Sequence, residues 1–260
     1  MEDIQDRQIG EELVVAPERS LIETVRPAAP ATTRTKRASK IRAGRAKAAS
    51  LDTAATLALR EHCRQLCLSL FLREQAPVRS LGFTSSVAGE GKTFLARVMA
   101  GILAGDSSAP VTLLECNWEH PNAAEYCGVP AAPGLAEWLR QECGEEDIRH
   151  PVHENLTVIP SGNGSHDSVR LLQYMRQQSL GTLFAAPGEL LIVDLPPIVT
   201  AGHGALAASL VDALIIVVRA GVTSDVLIAE TCAQLEGLPV EGVILNQAAS
   251  RIPRWLRQLL

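Results

Sequence analysis

No stretch of this chain approaches about eighteen uninterrupted apolar residues, so the sequence predicts no membrane-spanning helix. The opening residues, MEDIQDRQIGEE, are acidic and lack an apolar core segment, which argues against a secretory signal. Six cysteines in a chain of 260 residues do not make a disulfide framework, and reduced thiols in a cytoplasm are expected. There is no internal repeat. What is present is ordinary globular material: 47% of residues are hydrophobic and 20% charged, enough for one large domain or two small ones.

The net charge of −5 is unevenly spread. Residues 1–25 carry seven acidic and two basic side chains, whereas residues 26–50 carry eight basic ones and no acid. The remainder holds 22 acidic and 14 basic side chains. An acidic body speaks against nucleic acid as a partner. Residues 26–50 are rich in Ala, Pro, Thr and Ser, with no aromatic. They hold too little apolar surface to offset their ordering entropy. Residues 1–50 are therefore expected to be a disordered tail, acidic and then basic. The basic block suits anionic lipid head groups or an acidic partner, and it equally suits a solvated linker.

Residues 51–250 read as the folded domain. A helix is predicted over 52–74, with Leu57, Leu59, Leu66, Leu68, Leu70 and Phe71, ended near Pro77. Six apolar runs read as strands: VRSLGFTSS, VTLLE, NLTVIP, ELLIVD, ALIIVVR and VEGVILN. Near-continuous apolar strands imply burial on both faces. The fold class is accordingly α/β, a mostly parallel sheet flanked by helices.

The strongest motif is Ser85-Ser86-Val87-Ala88-Gly89-Glu90-Gly91-Lys92-Thr93, between a strand and the helical run FLARVMAGILA. Ser86 stands where a phosphate-binding loop usually has its first glycine. Gly89 and Gly91 still let backbone N–H groups turn inward, and the helix adds its positive end. Ala88, Gly89, Glu90, Gly91, Lys92 and Thr93 are the candidate nucleotide contacts, Lys92 reaching the phosphates and Thr93 facing Mg²⁺. Asp194, closing the apolar run LLIVD, is the second candidate Mg²⁺ ligand. ATP and Mg²⁺ are the expected cofactors.

In order, TSSVAGEGKT, VTLLECNWEHP, GLAEWLR, LTVIPSGN, LLIVDLPPI, DALIIVVRAG and VEGVILNQ resemble the cytoplasmic bacterial tyrosine kinases of capsule and exopolysaccharide export. These are P-loop relatives of the ParA/MinD class. The resemblance covers about residues 55–247. It implies roles for Lys92, Thr93 and Asp194 at phosphate and metal, and places Arg219 and Asn246 near ribose and base. It implies an inner-membrane chain-length or polymerase adaptor as partner, with recruitment to the membrane face. Self-association is also implied.

Several positions depart from the family pattern. The ParA/MinD signature lysine would fall at Val87. In the second acidic motif the first Asp is Glu115, the candidate catalytic carboxylate, and the second is Asn117. The Asp after the Pro-Pro segment is His203. The ring-assembly frame reads Glu61-x-x-Arg64-x-x-Cys67, without its last Arg. Tyr126 and Tyr174 lie inside the domain, and no tyrosine cluster follows them. Nucleotide binding with weak or lost phosphoryl transfer is the resulting expectation. A non-catalytic switch and a localisation ATPase are the alternatives.

Other residues suggest less. Cys63 and Cys67 share a helical face and fit a core better than a metal site. His150 and His153 in HPVHE read as loop residues. Trp118 could shield a nucleotide, anchor a partner or pack. Residues 251–260 carry Ile252, Trp255, Leu256, Leu259 and Leu260 at helical spacing, with Arg251, Arg254 and Arg257 between them. This amphipathic segment suits peripheral membrane contact, a partner or its own domain, and its deletion is expected to spare folding.

Overall fold

A computed structural model describes residues 54–71, 78–178, 184 and 188–248. The expected tail (1–50) and the amphipathic segment (251–260) lie outside the described residues. Seven strands form one sheet in the order β3-β4-β2-β5-β1-β6-β7. They are β1 (Ser80–Ser85), β2 (Val111–Glu115), β3 (His150–His153), β4 (Leu156–Ile159), β5 (Leu190–Asp194), β6 (Ala213–Arg219) and β7 (Val240–Asn246). All pairings are parallel except β3 with β4.

The six apolar runs are the six parallel strands. HPVH is a correction, because it forms the antiparallel edge strand β3 rather than a loop. Its Pro151 is compatible with an edge, where one side of the strand needs no ladder partner. The first helix, α1, spans Ala54–Phe71, inside the expected limits. It is followed by α2 (Lys92–Asp106), α3 (Ala123–Cys127), α4 (Leu135–Leu139), α5 (Glu145–Ile148), α6 (Ser168–Gln178), α7 (Gly204–Ala208) and α8 (Asp225–Gln234).

The strand alternation builds two cores. Leu214, Ile216 and Val218 of β6 enter one with Leu191, Val193, Leu172 and Met175. Ala213, Ile215 and Val217 enter the other with Phe83, Leu95, Met99 and Cys67. Each face of a parallel sheet is thereby roofed by helices, which is why its strands read as unbroken apolar runs. Gly82 sits where a Cβ would stand 2.6 Å from Leu195 Cδ1, so the central strand β1 can approach only with glycine there.

The α1 frame is used within the chain. Arg64 donates from Nε to Asp106 Oδ2 at 2.6 Å, from Nη2 to Asp106 Oδ1 at 3.0 Å, and from Nη1 to Glu61 Oε2 at 3.0 Å. Asp106 is the last residue of α2, so Arg64 ties the two helices together. Cys63 and Cys67 are buried core residues, and burial pushes their thiols up to about 11 and about 12.

Candidate functional site

The carboxyl ends of β1, β5 and β2 lie side by side. Asp194 is in register with Phe83 on one side and with Glu115 on the other. In open α/β sheets this edge is where ligands bind. The loop 86–91 leaves β1 here and enters α2 at Lys92.

Two glycines shape that loop. Gly89 has φ 86° and Gly91 has φ 100°, a region costly for other residues. A Cβ on Gly91 would also collide with Asn246 Nδ2. Thr93 Oγ1 donates to Asp194 Oδ2 at 2.7 Å. Lys92 Nζ lies 3.9 Å from Asp194 Oδ1, with both side chains buried. Asp194 Oδ1 is itself buried with no hydrogen-bond partner. Burial pushes the Asp194 carboxyl up to about 6, although Lys92 and then Thr93 pull it down; Glu115 adds to the rise. Hydroxyl and carboxylate oxygens beside a buried ammonium fit Mg²⁺ and phosphate, both of which need hard oxygen or cationic partners.

Glu90 faces inward and is 2% exposed. Its Oε2 accepts from Val87 N at 2.9 Å, and its Oε1 accepts from Arg219 N at 3.3 Å and from Thr223 Oγ1. Asn246 Nδ2 donates to Glu90 O at 2.7 Å. Thr231 Oγ1 donates to Ser86 Oγ at 2.8 Å. The ends of β6 and β7 and the helix α8 therefore fasten the loop from outside. Asn246 is 2% exposed and spends its amide on this fastening. Arg219 contributes its backbone N–H. Ala88 and Gly89 form the exposed crest.

The second loop is organised differently. Glu115 is fully buried, and Oε1 accepts from Asn122 N at 2.6 Å and Ala123 N at 2.7 Å. Its Oε2 accepts from Ser161 N at 3.2 Å. The carboxylate thus caps the start of α3 and pins the strand end after β4. Asn117 is buried, with Nδ2 donating to His120 O at 3.1 Å and Oδ1 without a hydrogen-bond partner. Trp118 is packed, donating from Nε1 to Ser161 O at 2.7 Å. His203 Nδ1 lies 4.0 Å from Glu119 Oε1 and joins this loop to the one after β5. Burial lowers the His203 pKa, and Glu119 opposes that.

Thr223, Thr231 and Ser161 were not singled out in the sequence. They are turn, helix and loop residues brought in by tertiary contacts, and no local motif marks them. Tyr126 and Tyr174 require a correction: they are 60% and 40% exposed, so lying inside the domain does not bury them. The α3 helix turns Tyr126 outward over Arg97, whose guanidinium carbon is 4.7 Å from the ring centre.

The fold is a mostly parallel seven-stranded α/β sheet in which a glycine-bearing loop runs from the central strand β1 into α2 beside the ends of β5 and β2. No family model matches the chain. The chain is similar to tyrosine-protein kinase Wzc of Salmonella typhi, 26% identical over 195 residues. That match covers 74% of this chain and 27% of the relative. The chain spans about a quarter of the length of the curated relatives it matches. Among solved structures it is similar to the kinase domain of Escherichia coli tyrosine kinase Etk. The TM-score is 0.68 and the identity 23%, covering 76% of this chain and 78% of that one. A ParA family ATPase from Chlorobium tepidum matches with TM-score 0.53 and 19% identity, covering 68% and 76%. The resemblance to bacterial tyrosine kinases drawn from the motif order is borne out. Among the described residues no helix is long and apolar enough to cross a membrane.

Proposed function

We propose that the chain binds a Mg²⁺–adenine nucleotide, ATP or ADP, in the loop 86–93. We place it in exopolysaccharide or capsule biosynthesis or export, acting through an inner-membrane chain-length or polymerase adaptor. The convergence of Lys92 and Thr93 on Asp194 carries the nucleotide reading. The polysaccharide setting rests on the family resemblance of the motif order.

In this reading Lys92 neutralises phosphate oxygens, and the start of α2 presents its N–H groups to them. Thr93 Oγ1 and Asp194 hold the metal side. Bound Mg–ATP supplies a transferable phosphoryl group whose spread charge must be stabilised. Transfer also needs a group to orient and deprotonate the acceptor. Glu115 is the candidate base, but three backbone N–H groups already occupy its oxygens and commit them to holding the start of α3 and the loop after β4. Asn117 carries no charge. Binding with weak or lost phosphoryl transfer follows, and the same observation favours a nucleotide-dependent switch as the second reading.

Calorimetry with Mg–ADP on wild type and Lys92→Ala tests the site. Equal heats would remove the phosphate-loop reading. Single-turnover ATP hydrolysis, with tyrosine peptides added, separates a slow kinase from a switch.

A further inference from the structure

Glu90 stands between the two glycines whose positive φ shapes the loop after β1, Gly89 at 86° and Gly91 at 100°. Glycine admits that shape and many others besides, so the residues that let the loop turn also leave it free to lose the turn. A loop ordered only by its ligand would spend binding free energy on the ordering. Glu90 carries the one side chain between these glycines.

That side chain is turned away from solvent, and both of its carboxylate oxygens are occupied. Oε2 accepts from Val87 N at 2.9 Å, which closes the loop on itself. Oε1 accepts from Arg219 N at 3.3 Å and from Thr223 Oγ1. Arg219 ends β6, and the turn after it is closed by Val222 N and Thr223 N, which donate to Arg219 O at 3.2 and 3.1 Å. The anchor is therefore a strand end with its own closed turn. Asn246 Nδ2, at the end of β7, adds a hold on the Glu90 carbonyl at 2.7 Å. A carboxylate in a phosphate loop opposes an anionic ligand, so its presence needs a reason. The three donors supply one: a carboxylate only accepts, whereas a carboxamide would set its own NH₂ group against at least one of them.

We propose that Glu90 is a positioning residue for nucleotide binding: through Val87, Arg219 and Thr223 its carboxylate holds the free loop in the shape that receives phosphate, without itself touching the ligand. The proposal rests on the reading of residues 86–93 as a phosphate site. It divides that loop into two tasks, Lys92 meeting the phosphate and Glu90 keeping the loop ready for it. Removing the negative charge and removing the brace act in opposite directions, which makes Glu90→Gln diagnostic. Relief of like-charge repulsion would tighten Mg–ADP binding, whereas loss of the brace weakens it.

The test uses the full chain. Titration calorimetry with Mg–ADP should find Glu90→Gln weaker than wild type by about tenfold, and Thr223→Val, which keeps the carboxylate, weaker by about threefold. The double variant should lose less than the product of the two separate losses, because both cut one brace. Without nucleotide, the amides of Val87, Ala88 and Gly89 should exchange faster in Glu90→Gln than in wild type. Tighter or unchanged binding by Glu90→Gln would overturn the proposal. So would a lowered melting temperature with affinity intact, since Glu90 would then be scaffold alone. Weakening by Lys92→Ala but not by Glu90→Gln defeats this proposal and leaves the phosphate-loop reading standing, whereas no effect of Lys92→Ala defeats both. Should Glu90→Gln fail to fold, Thr223→Val decides, and unchanged affinity there overturns the proposal.

Discussion

The loops that follow β1 and β2 leave the same end of the sheet, separated only by β5, yet they use their polar groups in opposite ways. After β1, Lys92, Thr93 and Asp194 converge and still leave Asp194 Oδ1 without a hydrogen bond. After β2, Glu115 is bound by three backbone N–H groups, and Trp118 is bound to Ser161 O. One loop keeps capacity for a ligand; the other has turned its carboxylate into scaffold. The two carboxylates can differ so far because they close different strands, Asp194 ending β5 and Glu115 ending β2.

Glu115→Ala should break the contrast most severely. It strands buried N–H groups of Asn122, Ala123 and Ser161, at roughly 1–3 kcal/mol for an unsatisfied buried group. Denaturant unfolding should show a loss of about 3 kcal/mol or more, and Glu115→Gln a smaller one. A loss under about 1 kcal/mol would mean that the carboxylate is not scaffold.

Lys92→Ala should weaken Mg–ADP binding by about tenfold or more, on the order of 1.4 kcal/mol, and cost some stability as well, because it leaves the buried Asp194 without its cation. The two variants together separate scaffold from ligand contact.

The pH dependence sharpens the ligand side. In the proposed reading Asp194 has to be ionised to hold Mg²⁺, and burial raises its pKa to about 6. Mg–ADP affinity should be level above about pH 7 and fall as pH drops through 6. The sign for stability is opposite. A raised carboxyl pKa means that the folded protein holds the proton more tightly, so this group's contribution is fullest below the unfolded value and is lost as pH rises through 6. Titration calorimetry and unfolding at pH 5 and pH 7.5 measure both slopes, and Asp194→Asn should flatten both.

Asn117→Asp asks whether charge alone limits turnover. ATP hydrolysis should rise if it does, and an unchanged single-turnover rate would place the limit at Glu115 and its cap. Arg97→Ala should have the smallest effect, below about 1 kcal/mol, because its stack on Tyr126 is exposed.

Sequence alone determined the parallel strands, since burial on both faces forces unbroken apolar runs such as ALIIVVR and LLIVD. It also located the tight turn between β1 and α2, because the positive φ of Gly89 and Gly91 is a local requirement that glycine meets. It left HPVH looking like a loop, since an edge strand needs only one paired side and shows no strong alternation. Tertiary structure decided the rest. Asn246 becomes a fastener of Glu90 because β7 ends beside the loop. Arg64 becomes an internal tie because α1 lies against the end of α2. Glu115 becomes a cap because the start of α3 folds back over β2. A side chain's chemistry is written at its own position, but which donor or acceptor meets it depends on chain segments tens of residues away.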